Sequence, residues 1–223
     1  MRSIRLVGLA MILGFVVAAH ATADPERSDK IHLKDGTTFS GVVLQKDGGR
    51  VILQVPRDTV ATVNGQPLPP PVVVGSKAPD FSAADLSGTT QALSKNLGHV
   101  TLLKFWASWC PHCRSDVPYI KNLFAQSSKE KNSKLRIITV SVDQDPNALK
   151  QFIEKEQIAY PVIPAAAHPD LPERYEMQGI PTYFVSDAKG VIATTWSGAL
   201  TEGDAKRKAD FERLLADLTK AGT

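Results

Sequence analysis

Two cysteines occur in the 223 residues, in the run Cys110-Pro111-His112-Cys113. An apolar stretch, Val100 to Trp106, ends just before them, and a helical spacing of apolar residues begins just after. Cys110 therefore falls where a strand ends and a helix begins. Its sulfur faces the unpaired N–H groups of the first helical turn and the positive end of the helix dipole. That setting favours the thiolate, which is the reactive species of cysteine. Pro111 suits the first helical position, where no N–H is needed. Cys113 lies one turn inside, close enough to close a disulfide with Cys110 and more sheltered. The expected chemistry is attack by Cys110 on a partner's disulfide, or transfer of the protein's own disulfide to a partner thiol. Either route passes through a mixed disulfide, which Cys113 or the partner resolves.

Other uses of a cysteine pair compete with this one. A purely structural disulfide closing so short a loop gains little from chain entropy. Zinc asks for about four ligands, and the chain has no second cysteine pair to supply them. A covalent haem site needs histidine directly after the second cysteine, where this chain has Arg114. Copper is the serious alternative, because two thiolates with a remote histidine such as His168 suit that soft metal. Under the exchange reading no metal and no cofactor beyond the Cys110–Cys113 disulfide is expected.

The elements that must position this pair can be read outward from it. Residues 1–23 begin with Arg2 and Arg5, continue as an uncharged apolar run from Leu6 to Ala19, and end in small residues. This is the pattern of a cleaved secretory signal, and the apolar run is shorter than the ~20 residues of a membrane span. Export would place the cysteines where disulfides persist, in the periplasm or outside the cell. The formal charge of +3 falls to +1 without the two arginines of that segment, so nothing electrostatic points to nucleic acid. Residues 24–65 hold three to five short alternating strands punctuated by Asp35-Gly36, Lys46-Asp47-Gly48-Gly49 and Asn64-Gly65, a small β module. Pro67, Pro69, Pro70 and Pro71 make residues 66–73 a semi-rigid linker.

Residues 74–223 form the second domain. A hairpin turns at Leu86 to Thr90, and Val100 to Trp106 is a buried strand. Val117, Ile120, Leu123 and Phe124 mark a helix, and Leu135 to Val142 a second strand. Asp145-Pro146 starts a helix running to Glu156. Tyr160 to Ile163 predicts a short strand, and Asp187 to Gly190 joins two more in a hairpin. Asp204 to Lys220 closes the chain as an amphipathic helix. Strand–helix–strand–helix followed by hairpin–helix implies an α/β fold with a sheet of mixed direction.

The residues Phe105-Trp106-Ala107-Ser108-Trp109-Cys110-Pro111-His112-Cys113-Arg114 resemble the active-site signature of the thioredoxin superfamily. Gly75-Ser76-Lys77-Ala78-Pro79-Asp80-Phe81 resembles the start of its exported TlpA/ResA-like branch, a segment shared with peroxiredoxins. Gly179-Ile180-Pro181-Thr182-Tyr183-Phe184 resembles the superfamily's cis-proline turn. The resemblance covers residues 73–221 and implies a thioredoxin-like fold, with the β module outside it. It also implies an exported thiol–disulfide oxidoreductase with protein thiols and disulfides as substrates and a separate redox partner, membrane-bound in some members. On that basis Pro181 is cis and faces the disulfide, and the Ile180 backbone pairs with an extended substrate segment. Trp109 covers the sulfur and meets partners, while Trp106 belongs to the core. A peroxidase reading is weaker, since peroxiredoxins have no cysteine pair of this kind here.

Two departures bear on mechanism. Thioredoxin has a buried acid six residues before its first cysteine, and this chain has Lys104 there. The TlpA/ResA-like branch has an acid three residues after the second cysteine, which corresponds to Asp116, on the helix face of Cys113 and Ile120. Asp116 is thus a candidate proton acceptor for Cys113, against the alternative of an exposed helix acid. The dipeptide Pro111-His112 is that of the DsbA-type oxidants. A histidine charged or donating toward Cys110 favours the reduced form, and so a more oxidising disulfide. The superfamily spans about −270 mV to about −120 mV, or roughly 7 kcal/mol for two electrons, so this dipeptide bears on direction.

Overall fold

The computed structural model describes residues 29–32, 38–47, 50–54, 62–63, 66–67 and 70–223, except 131–132, 203–204 and 222–223. Residues 1–69 and 70–223 form two units. In the first, β1 (Asp29–His32), β2 (Thr38–Asp47) and β3 (Arg50–Gln54) form an antiparallel sheet in that order. The alternation of the sequence supports both pairings, Ile31 opposite Phe39 and Lys46 opposite Val51. Two further strands, β4 (Thr62–Val63) and β5 (Gln66–Pro67), pair with each other. Gln66 and Pro67, expected in the linker, therefore end a short hairpin. Proline is compatible with this because so small a ladder has edges on both sides. The signal-like segment lies outside the described residues.

The second unit opens with the hairpin of β6 (Ser82–Ala84) and β7 (Thr90–Ala92). Its main sheet is built on β8 (Val100–Trp106), in which every residue is buried. A strand covered on both faces carries a continuous apolar run, and Val-Thr-Leu-Leu-Lys-Phe-Trp fits except at Lys104. After the cysteines come α1 (Pro111–Ser115) and α2 (Val117–Lys129), then β9 (Leu135–Ser141), parallel to β8. Helix α3 (Pro146–Glu156) is capped by the Asp145 carboxylate, which accepts from the N–H groups of Asn147 and Ala148. It leads to β10 (Val162–Pro164), parallel to β9. A short helix that no pattern in the sequence announced, α4 (Asp170–Arg174), follows. The antiparallel pair β11 (Thr182–Ser186) and β12 (Ile192–Ser197) and the helix α5 (Ala205–Ala221) complete the unit.

The sheet order is β10-β9-β8-β11-β12, with β11 antiparallel to β8. Side chains alternate across it. Leu103 and Phe105 of β8 pack with Phe81, Tyr175 and Phe184 on one face. Leu102 and Trp106 pack with Ile120, Leu149, Phe211 and Leu215 of the helices on the other. Even-numbered Lys104 shares that second face, and so points toward the helix that carries the cysteines.

Candidate active site

The loop before the cysteines is tied down first. Val142 N–H donates to the Trp106 carbonyl at 2.9 Å, which joins the ends of β8 and β9. The buried Asp143 carboxylate then accepts from Ser108 N–H at 2.9 Å, Ser108 Oγ at 2.5 Å and Ser141 Oγ at 2.6 Å. These bonds hold Ala107 to Trp109 as one turn, and helix α1 begins at its end. Cys110 is the N-cap of that helix, with φ −82° and ψ 115°, and Pro111 is its first residue. The Cys110 sulfur accepts from Cys113 N–H at 3.3 Å, which is the helix-terminus contact expected from the sequence. Both cysteines are free thiols. Cys110 keeps 5% of its surface exposed and Cys113 none, so the two sulfurs differ in access. Burial pushes the Cys113 thiol up to about 12.

The second cysteine-facing element comes from 70 residues downstream. The Ile180–Pro181 peptide bond is cis, and the Cys110 thiol points at the Ile180 carbonyl, 4.0 Å away. Thr182 Oγ1 donates to the Gly179 carbonyl at 2.6 Å, and Gly198 N–H to the Pro181 carbonyl at 2.8 Å. Trp109, next to Cys110 in the chain, is 64% exposed. Trp106 is fully buried in the core, as expected.

Asp116 closes α1 and caps α2, and it is fully buried rather than an exposed helix acid. Its carboxylate accepts from Leu200 N–H at 2.9 Å, Thr201 N–H at 2.8 Å, Thr201 Oγ1 at 2.7 Å and the Tyr183 hydroxyl. Gly198, at φ +88°, turns the chain after β12 and so delivers residues 199–202 to this carboxylate. Thr201 Oγ1 also donates to the Ser115 carbonyl at 3.2 Å. Burial, then the neighbouring Asp116 charge, pushes the Tyr183 phenol up.

His112 sits on the exposed side. Its Nδ1 pairs with the Glu202 carboxylate, and this hydrogen bond holds the Glu202 carboxyl below the usual carboxylate range. The hydrogen-bond partners of the Cys110 sulfur among the described residues are Cys113 N–H and the Ile180 carbonyl, not His112. Lys104, flagged in the sequence only as a departure, lies fully buried beneath Cys113 and donates to the Cys113 carbonyl at 3.2 Å. Sequence reasoning gave no role to Tyr183, Leu200, Thr201 or Glu202. The last three stand in a loop whose composition carries no signal.

Among the described residues no group of three or more His, Cys, Asp and Glu side chains is arranged to hold a metal ion. The copper reading thus has no support in the ligand arrangement, and His168 merely ends a turn of 3-10 helix at Ala165–Ala167. An open cavity of about 590 Å³ lies between α2 and α5, lined by Tyr119, Leu123, Lys208 and Glu212 among others, and neither cysteine lines it. Beside Cys110 lie instead the Ile180 carbonyl and, next in the chain, the exposed Trp109, groups that an extended chain can meet. No helix of the described residues is long and apolar enough to cross a membrane.

A family model described as Redoxin matches residues 73–215. The thioredoxin-like protein YneN of Bacillus subtilis is 30% identical over 141 residues, 62% of this chain and 79% of that one. The thiol-disulfide oxidoreductase ResA of Geobacillus kaustophilus is 29% identical over 136 residues, 61% of this chain and 76% of that one. Among solved structures, a thiol:disulfide interchange protein of the thioredoxin family from Chlorobium tepidum superposes with a TM-score of 0.55. It is 26% identical and covers 65% of this chain and 97% of its own.

Proposed function

The chain belongs to the redoxin family, and on that premise we propose how its cysteines perform thiol–disulfide exchange. It is a thiol–disulfide oxidoreductase with a thioredoxin-like fold, and protein thiols are its substrates. In the proposed cycle Cys110 is the nucleophile and Cys113 the resolving thiol. One observation carries this division: the Cys110 sulfur caps helix α1 and its residue keeps 5% of its surface exposed, while Cys113 keeps none. Pro111 starts the helix that presents the sulfur. Ile180 and Pro181 guide an extended substrate backbone past Cys110, and Trp109 meets the partner's surface. Asp116 is the acid of the proton path to Cys113. His112 tunes the potential.

The test is direct. Cys110→Ser is expected to abolish insulin reduction, a loss of about 1000-fold or more, and Cys113→Ser to accumulate a mixed disulfide with substrate. Full activity in Cys110→Ser would overturn the assignment. The cycle needs no cofactor, so dialysis against a chelator is expected to leave turnover unchanged. The Pro111-His112 dipeptide supports a pair more oxidising than thioredoxin, and a potential near about −270 mV against glutathione would exclude this. Export is supported by the charged start and apolar run of residues 1–23. A mature chain beginning near residue 24, read by mass spectrometry of the exported protein, is the expected result; an intact Met1 in that fraction would contradict it. A membrane-bound redox partner is part of the same proposal. Cross-linking of the Cys113→Ser chain in membranes tests it, and adducts with soluble proteins alone would count against it.

A further inference from the structure

Lys104 is the one charged residue of β8, and it is fully buried. A lysine in that position is costly unless its charge is used or lost. Its amine has one hydrogen-bond acceptor among the described residues, the Cys113 carbonyl at 3.2 Å, although an ammonium has three protons to place. Two aromatic rings flank it. The amine lies 5.8 Å from the Trp106 ring centroid and 5.5 Å from that of Tyr183, its cross-strand partner on β11. The titratable groups that face it are Cys113 and Cys110 from α1, Asp116 from the α1–α2 junction, and Tyr183 from β11. Asp116 already accepts four hydrogen bonds, and Tyr183 spends its proton on Asp116. Of this group, the amine is the one with an open valence for a proton.

We propose that Lys104 is the buried proton partner of Cys113. This rests on the thiol–disulfide exchange reading above. In the resolving step the neutral amine takes the proton of the Cys113 thiol and becomes an ammonium. The Cys113 sulfur then bonds to Cys110 Sγ, and the bond between Cys110 and the substrate sulfur breaks. The substrate leaves as a thiolate and takes its proton from water. The protein's two sulfurs are oxidised to the disulfide and the substrate disulfide is reduced, two electrons in all. In the reverse direction the ammonium returns the proton to the Cys113 thiolate as it leaves Cys110. Asp116, the acid of the same proton path, acts on it through its charge, which favours the ammonium. Burial, which acts against the charged amine, brings Lys104 down to about 8, so both of its states are accessible in the range where exchange proceeds.

The test uses the full reduced chain and an aromatic disulfide, dithiobis(nitrobenzoate), followed by stopped flow. The first release of thionitrobenzoate reports attack by Cys110, and the second reports attack by Cys113. In the wild type the second phase is expected to rise with pH and level off near pH 8, where the amine and thiol share a single proton. In Lys104→Met the second phase is expected to be about 100-fold slower at pH 8 and to keep rising through pH 10, with the first phase little changed. A wild-type second phase that rises through pH 10 without levelling overturns the proposal, whether or not Lys104→Met folds. So does a Lys104→Met profile that superposes on the wild type. A chain with no first phase, or with a first phase that survives in Cys110→Ser, would instead refute the exchange reading itself.

Discussion

The two sides of the cysteine helix are built from the same kinds of groups and behave differently. On the inner side Asp116, Lys104 and Tyr183 are fully buried, and the carboxylate is held by four donors. On the outer side His112 and Glu202 form a hydrogen-bonded pair with side-chain exposures of 68% and 43%. Water and salt weaken the outer pair, whereas the inner groups act across a medium of low dielectric. The outer residue nearest the sulfurs was the obvious one to read as the tuner. The comparison assigns the larger energies to the inner side, where the sheet supplies a lysine and the β12–α5 loop supplies the donors.

The largest expected effect is on Asp116. Asp116→Ala leaves Leu200 N–H, Thr201 N–H and the Tyr183 hydroxyl without an acceptor, leaves the Thr201 hydroxyl only the Ser115 carbonyl, and leaves the Lys104 amine without its nearby negative charge. Each stranded buried donor costs about 1–3 kcal/mol, partly relieved by water, so a loss of about 3–5 kcal/mol is expected in urea unfolding. A loss below about 1 kcal/mol would mean that the inner network is not a stability element, and the contrast between the two sides would fail.

Lys104→Met is expected to act in the opposite direction. Burial lowers the Lys104 pKa in the fold to about 8 from 10.5. Between those two values the unfolded chain binds the proton and the folded chain does not, so stability rises with pH there; below about pH 8 the full cost is present. Removing the amine should therefore stabilise the fold at pH 7 by about 3 kcal/mol at most, with the gain fading toward pH 10.5. Cys113 works against this in the same range, because its thiol is raised from 9.0 to about 12 and the unfolded chain loses that proton first. Below about pH 9, where Cys113 keeps its proton in both folded and unfolded chains, the difference between variant and wild type reports the lysine. A variant no more stable than wild type at pH 7 would show that Lys104 is not paying for burial in the fold. A more stable but slower enzyme is the outcome expected of a charge retained for chemistry.

How much of this was legible in the chain depends on the range of the interaction. The strand–cysteine–helix junction is local, and cap, proline and sulfur contact all follow from residues 106–114. Most strands and helices of the second unit were equally local, because each carries its own period. Asp116 was visible as a helix-face acid, yet its burial was not. That depends on a loop 84 and 85 residues downstream, and backbone N–H groups leave no mark in a sequence. Lys104 stood out only as a departure from thioredoxin's acid, and its orientation follows only once α1 is packed on that face of the sheet. Helix α4, five residues long, has no full apolar period from which to be recognised.

The smallest expected effect, and the sharpest test of the outer side, is on His112 and Glu202. His112→Ala removes the imidazole one residue beyond Pro111 and is expected to lower the reduction potential by about 20 mV, the scale of an exposed charge interaction. The shift should shrink in 1 M salt, where screening acts over about 3 Å. Glu202 reaches the sulfurs through the imidazole, its other hydrogen bond being with Ser115, so Glu202→Gln should alter the potential of the wild type more than that of His112→Ala. Equal shifts in both backgrounds would show that Glu202 acts on the sulfurs directly, and a His112→Ala shift that ignores salt would place His112 with the inner groups. Either result would erase the distinction between the two sides at the very dipeptide that separates the sulfurs.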